Sequence, residues 1–115
     1  MEYLDKVLGI KVTYKNGAFA HLPNFIATRY RLQMVSMNGQ RVIFLYPKTE
    51  LEQIEVLKKH IARIQKNENL PVVLVLNALS FRQKEYLIRE KIPFIVEGKQ
   101  IYLPFMAMYL QERCN

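Results

Sequence analysis

Glu97, Gly98 and Lys99 come nearest to a catalytic spacing in this chain. Glu-x-Lys is the arrangement of restriction-endonuclease-like nucleases, in which the carboxylate holds a divalent metal and the Lys lies near the scissile phosphate. Such a site also needs an acidic residue on the preceding strand. Here a helical segment precedes the motif, and the apolar run ending at Leu76 is followed by Asn77, not Asp. A Gly turn flanked by two solvated charges is the simpler reading of residues 97–99. Apart from its glutamates, the chain offers acid–base or metal chemistry one Asp (Asp5), two His (His21, His60) and one Cys (Cys114), whereas such sites need several of these groups converging. His21 precedes Leu22-Pro23 in an expected loop and His60 lies mid-helix beside Lys58 and Lys59, so both read as ordinary surface or rim histidines. No Gly-x-Ser-x-Gly elbow, P-loop or Gly-x-Gly-x-x-Gly string is present. The expectation is a non-enzymatic chain with no cofactor and no metal.

The cations are a different kind of signal. The formal charge is +7, and residues 58–115 hold ten basic and five acidic side chains against seven and five in residues 1–57. Lys58, Lys59, Arg63 and Lys66 follow one another with no acid between them, and Arg82, Lys84, Arg89 and Lys91 decorate the next helical segment. If both segments faced the same way they would form a phosphate-attracting surface. The plainer account is solvation, because Lys59, Arg63 and Lys66 fall opposite the apolar stripe and Glu55 stands four residues before Lys59 as an ordinary helix-surface pair. Aromatic residues interleave poorly with these charges. A second candidate surface consists of Phe105, Met106, Met108 and Tyr109, since Met re-packs readily against a partner, with Met34 and Met106 also suited to core filling.

The elements that must hold these residues follow from periodicity. Residues 7–14 alternate as a strand and lead into Asn16-Gly17. Residues 22–29 allow one helical turn with Pro at its start. Tyr30-Leu32-Met34-Ser36 and Val42-Phe44-Tyr46 flank Asn38-Gly39, the dipeptide of a two-residue type I′ hairpin. Thr49 and Glu52 form a capping box, and Leu51, Ile54, Leu57, Ile61 and Ile64 then make one helical stripe. The run 71–76 is too short for a helix and reads as a central strand buried on both faces. Ser80 with Gln83 opens a second helix to about Lys91, two strands flank residues 97–99, and a last helix is expected over 105–113. The order β-ββ-α-β-α-ββ-α gives an α+β (mixed α/β) fold, with helices on a small mixed sheet around the strand 72–76 and a parallel crossover where the first long helix joins the hairpin to it.

With 115 residues, 50% of them hydrophobic, the chain is one domain with a sufficient core. The single Cys fits a reducing cytoplasm, the N-terminus lacks a signal peptide, and no apolar run approaches the roughly 20 residues that span a bilayer. The end at Gln111-Glu112-Arg113-Cys114-Asn115, without a Gly or Pro exit, reads as the edge of an N-terminal domain cut from a longer protein.

Four strings carry a resemblance: Leu22-Pro23-Asn24-Phe25, Phe44-Leu45-Tyr46-Pro47-Lys48, Leu70-Pro71-Val72-Val73-Leu74-Val75-Leu76, and the long string Lys91-Ile92-Pro93-Phe94-Ile95-Val96-Glu97-Gly98-Lys99-Gln100-Ile101-Tyr102-Leu103-Pro104-Phe105. Over residues 22–113 the chain resembles the N-terminal region of bacterial MarR-like winged-helix transcriptional regulators. The resemblance implies a regulator whose winged helix lies C-terminal to this region, with DNA reached through that domain, no membrane, and dimerisation, partner contact or signal input as the role of residues 1–115. Related members often have Asp where this chain has Asn77, which further weakens an active site here. The alternative is a degenerate restriction-endonuclease-like or basic nucleic-acid-binding module.

Overall fold

Among the described residues seven strands pair strictly in chain order, which follows from a hairpin, two helical crossovers and a second hairpin arranged along one sheet. The structure is a computed structural model and describes residues 4–6, 9, 11–15, 19, 22–51, 53–106 and 108–111. Strands β1 (Val12–Lys15), β2 (Tyr30–Met37) and β3 (Gln40–Pro47) are antiparallel neighbours. β4 (Val72–Leu76) and β5 (Phe94–Val96) run parallel to β3, and β6 (Gln100–Leu103) and β7 (Met108–Gln111) return antiparallel. Three helices join them: α1 (Asn24–Arg29), α2 (Ile54–Asn67) and α3 (Phe81–Arg89). The fold is thus α+β on a mixed sheet, as the periodicity implies, with β4 fully buried in the middle position.

The β2–β3 hairpin turns on Asn38 (φ 52°) and Gly39 (φ 89°), both in the left-handed region that a type I′ turn requires. α2 links β3 to β4 and α3 links β4 to β5, both in parallel crossovers. Leu57 and Ile64 of α2 and Leu87 of α3 share one buried cluster with Ile43, Leu45, Leu74 and Phe94. Both helices therefore cover the same face. The opposite face buries Phe44, Val73, Val75 and Ile95 beneath Leu4, which belongs to a helical segment at residues 4–6.

Several elements differ from the sequence expectation. The N-terminal strand occupies 12–15 and not 7–14; of the rest of that stretch, Val7, Leu8 and Ile10 lie outside the described residues, as do Asn16 and Gly17. Asp5 Oδ1 accepts from the Val12 amide at 3.1 Å, so the chain enters β1 through a side-chain bond. α2 starts at Ile54 behind Gln53, without a side-chain cap. Thr49 lies in a bend and Glu52 outside the described residues, so Thr49 does not open the helix. After Pro47 the chain must climb from the sheet to the helix layer, and Leu51 packs against the core on the way. The second box is present as spaced: Ser80 accepts from Gln83 N and Gln83 Oε1 accepts from Ser80 N.

The expected helix over 105–113 is replaced by a 3-10 turn, Pro104–Met106, and by β7. β6 offers an unpaired row of backbone groups, and residues 108–111 satisfy it in antiparallel register from Leu103↔Met108 to Gln100↔Gln111. A short apolar run fits either state, and the neighbouring strand decides between them.

Candidate functional site

α2 and α3 lie side by side because both crossovers pass over the same face, and that placement decides where the cations go. On α2, Leu57, His60 and Ile64 turn inward, leaving Lys59, Arg63 and Lys66 exposed at i, i+4 and i+7. On α3, Leu87 turns inward and Arg82, Tyr86 and Arg89 are exposed at the same spacing. Lys58 points toward the neighbouring helix, where its Nζ meets Glu90 Oε2 at 3.1 Å. That hydrogen bond and the Glu90 charge raise the Lys58 pKa, so the ammonium stays charged. Lys84 is half-buried and already engaged, so it does not join the open face.

The charge is concentrated accordingly. α2 carries Lys58, Lys59, Arg63 and Lys66 against Glu55, and α3 carries Arg82, Lys84 and Arg89 against Glu85, so the two helices hold +5 of the net +7. Among the described residues, no carboxylate forms an ion pair with Lys59, Arg63, Lys66 or Arg82. The Arg89 guanidinium carbon lies 5.7 Å from the Tyr86 ring centre, within cation–π range.

Aromatic residues are not absent from this surface. Phe81 is 72% exposed and Tyr86 41% exposed, both on α3 among the Arg residues. The signal for them lay in the string Phe81-Arg82-Gln83-Lys84-Glu85-Tyr86, where helical spacing puts Tyr86 one turn after Arg82 and leaves only Leu87 and its half-buried neighbours to face the core.

Between the N-terminal halves of α2 and α3, beyond the carboxyl ends of β3 and β4, opens a cleft of about 950 Å³. Gln53 and Glu55 line one wall, Arg82, Gln83 and Tyr86 the other, with Asn77 at the strand end. Among the described residues its charged groups are Glu50, Glu55 and Arg82. On the far side of the Lys58–Glu90 bridge a second groove of about 730 Å³ runs past Ile61, Pro71, Pro93 and Phe105.

The other candidates are scattered. Phe105 and Met106 are half-buried against the far-face cluster, while Met108 and Tyr109 lie in β7, with side chains outside the described residues. Glu97 and Lys99 sit exposed in the β5–β6 turn, closed by Lys99 N donating to Val96 O at 2.9 Å with Gly98 at φ 79°. They are therefore not two positions along one strand, which is what makes i and i+2 share a face. Among the described residues no three His, Cys, Asp or Glu side chains gather for a metal, and no helix is long and apolar enough to cross a membrane.

His60 is not a surface residue. It is 7% exposed, its Nδ1 shares a 2.6 Å hydrogen bond with the Tyr30 hydroxyl, and Phe25 packs 5.6 Å from its ring. Its place three residues after Leu57 and four before Ile64 puts it on the inward face, and Tyr30 supplies the partner that burial requires. His21 lies outside the described residues.

A separate polar group lies on the opposite face of the sheet. There the Tyr46 hydroxyl donates to Gln33 Oε1 at 3.0 Å, and Arg31 stacks 4.0 Å from the Tyr46 ring centre. Burial raises the Tyr46 pKa against the opposing effect of Arg31. Comparison of the chain with protein-family models, with curated proteins and with solved structures finds no match.

Proposed function

We propose that this chain is a non-enzymatic regulatory or interaction domain of a bacterial, cytoplasmic, DNA-associated transcriptional regulator, providing partner contact, dimerisation or signal input for a winged helix that follows it. The observation that carries the reading is the outer face of α3, where Phe81 and Tyr86 stand in water beside Arg82 and Arg89. An isolated domain loses burial by leaving two large rings exposed. Tyr and Arg are also the residue types that dominate interface energetics. The cleft beside Tyr86 adds a concave surface of mixed polar and apolar lining, suited to holding a small effector and less so to performing acid–base chemistry on it. The resemblance carried by residues 91–105 supplies the class of parent protein.

The test is amide hydrogen exchange across α2 and α3 in the 115-residue chain, alone and mixed with the winged-helix domain, with sedimentation to read self-association. Slower exchange at Phe81–Arg89 on mixing, or a dimer that Tyr86→Ala dissociates, is the expected result. Unchanged exchange in a chain that stays monomeric overturns the reading.

A further inference from the structure

We infer that the α2–α3 layer binds single-stranded nucleic acid, with phosphates against Lys59, Arg63, Lys66, Arg82 and Arg89 and a base stacked on Tyr86. This goes beyond the reading above, with which it shares the exposed Phe81, Arg82, Tyr86 and Arg89 of α3. Three observations meet here.

First, with Lys84 half-buried and Lys58 bridged to Glu90, the outer face of these two helices still presents Lys59, Arg63, Lys66, Arg82 and Arg89 against Glu55 and Glu85, so it carries a positive field. Second, the exposed cations form two rows. Lys59 to Lys66 and Arg82 to Arg89 are each seven residues apart, about 10 Å of helix, and the Lys58–Glu90 contact at 3.1 Å brings the end of α3 alongside α2. A flexible backbone crossing from one helix to the other can meet both rows. The Lys58–Glu90 bridge ties the helices together at the crossing and neutralises the one carboxylate that follows α3. Glu55 and Glu85 remain on the layer as opposing charges and Glu68 follows Lys66 at the end of α2, and the five exposed cations outnumber these three carboxylates.

Third, the rings select the form of the nucleic acid. In a duplex the base faces are stacked away, and Phe81 and Tyr86 would have nothing to cover. A single strand offers phosphates and free base faces together, the combination that basic grooves with aromatic platforms use. Tyr86 shares the row of Arg82 and Arg89 and borders the cleft, so a base lying on its ring can project into a ready-made concavity. Phe81, one row over at the start of α3, gives a second stacking position.

The experiment is fluorescence anisotropy of a labelled 12-nucleotide oligothymidine with the 115-residue chain, repeated with a 12-base-pair duplex and with anionic phospholipid vesicles. Five phosphate contacts predict a slope of log K against log salt of about −3.5, and Lys59→Gln/Arg63→Gln should bring it to about −2. Tyr86→Ala, shown folded by circular dichroism, should weaken the single strand about 5- to 100-fold with the slope unchanged, while Tyr86→Phe, which keeps a ring, binds as the parent. Equal affinity for duplex and single strand overturns the proposal. So does a Tyr86→Ala variant that binds as the parent, or binding to vesicles with none to the oligonucleotide. Failure in this assay leaves the exchange experiment on the winged helix unaffected, and a positive result here does not depend on it.

Discussion

His60 illustrates how little a residue type says before its partners are known. An imidazole is the side chain most ready to change charge near neutrality, yet here it lies between Phe25 and Tyr30 at 7% exposure with a 2.6 Å hydrogen bond. Nothing in Lys58-Lys59-His60 announces Tyr30, thirty residues away, so the partner was not legible from the sequence. Tyr14 is the complementary case, an exposed-looking ring whose hydroxyl is held neutral. Its pKa is pushed up to about 12, first by burial and then by the neighbouring Tyr46, Asp5 and Glu97. The folded state thus keeps the phenol proton that the unfolded chain releases near its ordinary value of about 10. The sign follows from linkage: the stabilisation is fully present below pH 10 and is lost as pH climbs from 10 to 12. Urea midpoints measured across pH 9 to 12 should therefore fall steeply at the alkaline end, and less so in Tyr14→Phe, with Tyr46 supplying part of what remains. A Tyr14→Phe variant with an unchanged alkaline decline would refute the assignment.

Elements were legible where one local interaction decides them, and illegible where a neighbouring strand does. Asn38-Gly39 had to be a turn, because few other dipeptides take two successive positive φ angles. Ser80 and Gln83 satisfy each other within four residues, whatever the rest of the fold does. Thr49 and Glu52 have the same spacing, yet Thr49 lies in a bend and α2 begins at Ile54. The residues after Leu103 went the same way, since the open edge of β6 drew 108–111 into a strand. Two caps of identical pattern should consequently differ in energetic weight. Ser80→Ala removes the acceptor at 3.1 Å from Gln83 N and leaves only the backbone amide of residue 80 donating to Gln83 Oε1, at a cost of about 1 kcal/mol. Thr49→Ala should change stability by less than about 0.5 kcal/mol, as surface substitutions away from such features do. Urea unfolding with a common m-value separates the two, and equal losses would restore Thr49 as a cap. The cation rows were likewise legible residue by residue, but their meeting on one layer required the knowledge that both crossovers cover one face.

For the molecule as a whole, one sheet separates two cores, and the question is whether they unfold together. Ile43 on β3 faces the helix layer and Ile95 on β5 faces the opposite side; both are fully buried. They stand two strands apart, roughly 9–10 Å across the sheet at the usual spacing, are offset along it because Ile43 pairs with Val72 and Ile95 with Val75, and project to opposite faces, so they belong to separate clusters. Trimming one methyl group from each, Ile43→Val and Ile95→Val, should cost about 0.5–1.5 kcal/mol apiece, and the double variant should lose the sum to within about 0.5 kcal/mol. Additivity alone would also hold for two independent units, so the deciding measurement is the transition itself. β4 contributes Leu74 to one core and Val73 and Val75 to the other, and it hydrogen-bonds to parallel neighbours on both sides. Neither core can open without exposing that strand. Backbone circular dichroism and tyrosine fluorescence should therefore follow one coincident unfolding curve in the parent and in all three variants. If Ile95→Val instead separates the two signals, the face beneath Leu4 unfolds on its own, and the helix layer with its cations is the smaller cooperative unit.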